Sequence, residues 1–297
     1  GTFDGNGHTI SNLKIYREKV EDNLNTNLSF IGLFGIIESG ATIRNLTIEN
    51  VDIKGDSYIG PFVAYLPNAT SSESGNVALE NLRLNGKVSI LAATNAGGII
   101  GRNESSSPSL LIKDCAVDVS TGSMIETKYN TPFKYTESIT YQGWADFVGG
   151  IIGAAYGKNN TIENCSVRNI ELKAQVFAVG GISGLFAKGK ISNCAISDVL
   201  VSLDREEPLD GDNKCKAIGA IAGCTVTTGD GDVALGSVSV SGSSLAIPLA
   251  ESDDFSLVYN GYVGIDRSER DNSRVVTGVP SKASGFTVTF TKLVLID

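Results

Sequence analysis

His8 is the only histidine in 297 residues. No His-Glu-x-x-His metallopeptidase motif can therefore be written, and a lone histidine without an assignable partner reads as structural or solvated. Five cysteines are too few for a disulfide scaffold, and no Cys-x-x-Cys spacing supports a zinc site. No apolar run is long enough to cross a bilayer as a helix. Basic residues are scarce, with Lys and Arg totalling 24 against 33 Asp and Glu, a formal net charge of −9. That balance argues against nucleic acid or an anionic membrane as partner. No window of useful length shows the three-and-four spacing of a helix. A signal peptide is also lacking. Because the chain begins inside a recognisable motif, we expect a signal or lipid anchor and further domains outside this sequence.

What is present is repetition. An apolar, glycine-rich phrase recurs as Ile31–Gly35, Ile59–Val63, Ala96–Gly101, Val148–Gly153, Val179–Gly184 and Ile218–Gly223, the first copy one residue short. A second phrase follows each copy: Ile43–Ile48, Leu79–Leu84, Ile112–Val117, Ile162–Val167 and Ile191–Ile196, with a worn form at Val233–Val238. Ile10–Ile15 opens the chain on a further copy of it. Self-similarity at a few tens of residues signals a stack of similar units. The segments are short, β-branched and bounded by Gly, Asn and Ser, which reads as strand. Asn164 and Cys165 between Ile162 and Val167 suggest a strand that bends at its middle.

Stacking predicts vertical columns spaced about 4.8 Å apart. One should run Asn12, Asn45, Asn81, Asp114, Asn164, Asn193, a ladder of side chains donating to one another. Beside it an apolar column should run Leu13, Leu46, Leu82, Cys115, Cys165, Cys194. The three cysteines then read as stacked buried thiols. Cys215 and Cys224 remain unassigned. The paired glycines need either a positive φ or a neighbouring chain too close for a Cβ. Phosphate binding would need a helix and Lys-Ser/Thr after the loop, and neither follows.

These residues resemble the GLUG-type repeat family. The likeness is strongest in GTFDGNGHTISNLKI at Gly1–Ile15, in IGLFG at Ile31–Gly35 with ATIRNLTIENVDI at Ala41–Ile53, and in the VGGIIG and VGGISG copies. The resemblance covers Gly1 to roughly Gly242. It implies parallel β-helix modules of cell-surface, adhesion-type proteins, notably of gut Bacteroidetes. Similar repeats also lie in the non-catalytic part of some surface metallopeptidases that cut immunoglobulin A. The motif carries no catalytic residue to transfer.

Polar insertions interrupt the repeats at Tyr16–Ser29, Leu66–Gly75 and Asn103–Ser109. The longest, Thr121–Asp146, holds Tyr129, Phe133, Tyr135, Tyr141 and Trp144, the one tryptophan. Aromatics on a side loop can stack on sugars or anchor a protein partner, or fold back over the stack. Tyr129, Tyr135, Tyr141 and Trp144 are the ligand-binding candidates. The acidic run Asp204–Asp212 and Asp230-Gly231-Asp232 read as solvated loops, with Ca²⁺ binding as the alternative for the first.

The expected fold is all-β: a right-handed parallel β-helix of about seven coils, residues 1–250. A C-terminal cap or small β-unit at 251–297 follows, including the alternating strand Phe286–Ile296. The expected function is a non-catalytic, adhesin-like module of the cell surface or a secreted protein. It would recognise a glycan or host protein through side loops, without cofactor or metal. The competing readings are a structural stalk of a larger surface protein and a carbohydrate-active lyase or hydrolase.

Overall fold

The computed structural model describes residues 1–17, 29–69, 75–104, 108–128, 146–157, 159–175, 177–203, 217–224 and 233–246, and the strand backbone of 247–249, 276–277 and 286–292. Among the described residues every regular element is a strand. The strands form sheets of 16, four and six members, paired in parallel.

The four copies from Asn95 onward visit the three sheets in the same order, while those at Ile31 and Ile59 join their neighbours by isolated bridges before entering the six-stranded sheet. Asn95–Gly97 lies in the four-stranded sheet and Ile100–Asn103 in the six-stranded one, then Leu110–Lys113 and Ala116–Thr127 in the long sheet. Phe147–Gly149, Ile152–Ala155, Asn160–Glu163 and Ser166–Ala174 follow the same path. Register between copies is one to one in the short sheets, while the long strands shift register at Glu49–Val51 and at Asp118–Met124. Phe147 pairs with Asn95 and Ala178, Ile152 with Ile100 and Ser183, and Ile162 with Ile112 and Ile191. Parallel neighbours need a long crossover, and here two short sheets serve as that crossover. The arrangement is β-helix-like. Val276–Thr277 and Phe286–Lys292 extend the long sheet in the same parallel sense.

The register gathers like side chains into one core. One buried column is Ile43, Leu79, Ile112, Ile162, Ile191 and Leu235. Another is Ile53, Ile90, Ile125, Leu172, Val201 and Leu245. Each such side chain contributes about 1.5–3 kcal/mol on burial. Outside, Asp4, Arg44, Glu80, Lys113 and Glu163 share a column whose sign alternates layer by layer. Arg44 pairs with Asp4 at 2.8 Å and Lys113 with Glu163 at 3.1 Å. A one-layer slip would set like charges together.

The asparagine column marks the bend in each long strand. Asn45, Asn81, Asp114, Asn164 and Asn193 all have φ between 50 and 54°, the left-handed region that Asn and Asp tolerate better than other L-residues. Asn81 Nδ2 donates to Asn45 Oδ1 at 2.9 Å and Asn164 Nδ2 to Asp114 Oδ1 at 3.0 Å. Asn12 and Leu13 do not belong to these columns. Gly5–His8 put two extra residues opposite Asn45 and Leu46, so Leu13 pairs with Val51 and Asn12 falls level with Asn50. It is Asp4 that accepts from Asn45 Nδ2, at 3.0 Å. Asn12 instead heads a second bend column with Asn50, Gly86, Asn169, Asp198 and Gly242, all at positive φ.

A crease between the two short sheets as candidate functional site

The corner between the short sheets is set by paired glycines. Neither Gly149 nor Gly150 has a positive φ; the requirement is room. A Cβ on Gly149 would strike Ile152 O. One on Gly150 would strike Gly181 O and sit 2.6 and 2.8 Å from the Val167 methyls. This sharp corner turns the outer faces of the two sheets toward each other. Phe147, Ala178 and Ala217 of the four-stranded sheet share an apolar cluster, separate from the core, with Ala154, Leu185 and Cys224 of the six-stranded sheet.

Register then dictates what lines this crease. One wall is the row Phe30, Tyr58, Asn95, Phe147, Ala178, Ala217. The other is Ile36, Tyr65, Arg102, Ala154, Leu185, Cys224. Toward the C-terminus the rows are small, apolar and buried. Toward the N-terminus Phe30, Tyr58, Tyr65 and Arg102 are aromatic or charged and partly exposed, and Glu104 and Tyr156, two residues beyond Arg102 and Ala154, join them.

Arg102 is the centre of that half. Its guanidinium carbon lies 5.1 Å from the Tyr58 ring centroid and 4.5 Å from that of Tyr156, within cation–π range of both. Its Nη2 donates to Glu104 Oε2 at 3.1 Å, and Nε is 2.8 Å from Oε1 without hydrogen-bond alignment. Tyr65 OH donates to Glu104 Oε1 at 3.0 Å, and the Tyr58 and Tyr65 rings stack at 5.1 Å. Phe30 and Tyr58 hold their places at φ of 61 and 54°, a strained conformation for bulky side chains. Burial raises the phenol pKa of Tyr58, Tyr65 and Tyr156, with Glu104 adding to the effect at Tyr65.

Tyr129, Tyr135, Tyr141 and Trp144 lie outside the described residues, as does the acidic run 204–212. The segment holding the four aromatics joins Thr127 in the long sheet to Phe147 in the crease wall. Crease residues Tyr58, Tyr65, Arg102 and Tyr156 carried no sequence flag. Tyr58 and Tyr65 flank one glycine copy while Arg102 and Tyr156 follow two others, and only alignment of the copies brings them together.

The thiols sit where the apolar column places them. Cys115, Cys165 and Cys194 are buried and free, and each donates to a carbonyl of the preceding copy: Leu79, Ile112 and Ile162. Among the described residues no group of three or more His, Cys, Asp or Glu is placed to share a metal ion. The Cys165 thiol is pushed up chiefly by its contact with the Cys115 thiol, and Cys194 chiefly by Cys165, with burial adding to both. A raised thiol pKa means the folded state holds the proton more tightly. This stabilisation is complete below the ordinary thiol value of about 8.5 and is lost as pH climbs toward the folded values. The phenols act with the same sign above about pH 10. Urea midpoints should therefore hold flat from pH 7 to 8 and fall beyond, less steeply in Cys165→Ala. A flat midpoint into strong alkali would contradict the burial.

No protein-family model matches the chain. Halomucin from Haloquadratum walsbyi (strain DSM 16790 / HBSQ001) is 35% identical over 107 residues. The match covers 34% of this chain and 1% of the halomucin chain. A solved structure described as a candidate immunoglobulin A1 protease from Bacteroides ovatus aligns with 98% of this chain and 68% of its own. Its TM-score is 0.48 and its identity 20%. No helix among the described residues is long and apolar enough to cross a membrane.

Proposed function

We propose that this chain is a non-catalytic binding module of a secreted or cell-surface protein. Residues 1–250 form a right-handed parallel β-helix of about seven coils, followed at 251–297 by a C-terminal cap or small β-unit. Its side recognises a glycan or a host protein. The observation that carries this reading is the crease: a corner between the two short sheets at which partly exposed aromatic rings surround one arginine. Partly exposed aromatics and arginine are what recognition surfaces concentrate. The GLUG-type resemblance and the halomucin match support an extracellular setting.

The test is a screen of the 297-residue chain against immobilised glycans and matrix proteins. Every hit is rechecked for released reducing ends or unsaturated products. Binding without product supports the module. Product formation replaces it with a carbohydrate-active enzyme, and silence throughout replaces it with a stalk.

A further inference from the structure

We propose that the Arg102 end of the crease is a subsite for a neutral pyranose, an inference that rests on the binding-module reading. Glu104 already neutralises the Arg102 guanidinium through the contacts above, so the site offers no uncompensated charge to an anionic sugar. What it does offer is hydrogen-bonding capacity beside aromatic faces. Neither Tyr58 OH nor Tyr156 OH has a partner among the described residues, and the two rings flank the guanidinium.

Asn95 supplies the complementary acceptor. It is 1% exposed, and its Nδ2 donates to Thr94 Oγ1 at 3.0 Å while its Oδ1 has no donor among the described residues. Its side chain faces the crease, because Ala96 beside it enters the core and Phe147, its register partner, belongs to the outer cluster. A buried acceptor without a donor is costly, and a ligand hydroxyl removes that cost. A pyranose ring brings both parts, with an apolar face to lie against tyrosine and hydroxyls that donate and accept.

The experiment is calorimetric titration of the full chain with neutral hexose oligosaccharides of gluco, galacto and manno configuration, and with their uronate-containing equivalents. The same titrations are run on Tyr58→Phe/Tyr156→Phe and on Asn95→Asp. The double variant keeps both rings over Arg102, and an unchanged melting temperature verifies its fold. The expected result is binding of a neutral sugar that weakens about tenfold or more in the double variant, with uronates weaker throughout. Neutral-sugar binding untouched by the double variant overturns the subsite but leaves the module standing, as does binding confined to uronates. Capture of a protein with no glycan bound also overturns only the subsite. No ligand of any kind overturns both.

Discussion

Gly150→Ala is expected to destabilise the chain by about 3 kcal/mol or more. The added carbon would strike the Gly181 carbonyl oxygen and approach both Val167 methyls. None of these can retreat cheaply. Gly181 O belongs to the backbone of the next copy, and Val167 is fully buried in the core. The φ of Gly150 is not the obstacle, which makes the steric origin separable from conformational freedom. Gly7→Ala is the matched control. Gly7 has a φ of 75° and nothing within 4 Å of the position a Cβ would take, so only the left-handed penalty of about 1–2 kcal/mol applies. Urea unfolding of the two variants should rank them in that order. Equal losses would mean that the corner is not close-packed.

Asn164→Val is expected to cost about 2–3 kcal/mol, and Asn164→Gly about 1 kcal/mol or less. The side chain has two roles. It tolerates a φ of 54°, which a β-branched residue resists, and it donates to Asp114 Oδ1 at 3.0 Å. Valine loses both roles and glycine only the hydrogen bond. Because the residue is exposed, the bond alone contributes modestly. If both variants lost the same amount, the bend would owe nothing to asparagine's tolerance of the left-handed region.

These two sites show what the sequence makes legible. The paired glycines and the asparagines recur at fixed places in each copy, so stacking logic predicts their columns before any fold is seen. The alternation of Ile112, Ile162 and Ile191 with outward polar residues likewise specifies a core face. Asn12 went astray because the extra residues at Gly5–His8 displace the opening copy by half a strand, and no composition signal announces that shift. The second bend column hides for another reason. It mixes Asn50 and Asn169 with Asp198, Gly86 and Gly242, residues united by conformation rather than by identity.

The crease is less legible still. Tyr58 precedes and Tyr65 follows one glycine copy, Arg102 follows the next, and Tyr156 follows the one after that. Their union depends on register and on the sharpness of the Gly-Gly corner, both three-dimensional quantities. The aromatics Phe30, Tyr58 and Phe147 immediately before three of the six glycine phrases are the available signal. The sequence instead drew attention to Tyr129, Tyr135, Tyr141 and Trp144, which cluster in one insertion. That segment runs from Thr127 in the long sheet to Phe147 in the crease wall.

The measurement that goes most directly to the claim that this crease is the binding face is hydroxyl-radical footprinting, with and without the tightest ligand from the screen. Tyr58, Tyr65 and Tyr156 are partly exposed in the crease. Tyr16 is 38% exposed on the long sheet, where its hydroxyl donates to Asp52, and it serves as the internal control. The account predicts that ligand protects the three crease tyrosines and leaves Tyr16 as reactive as before. Protection of Tyr16 with the crease tyrosines unchanged would place recognition on the long sheet and contradict it.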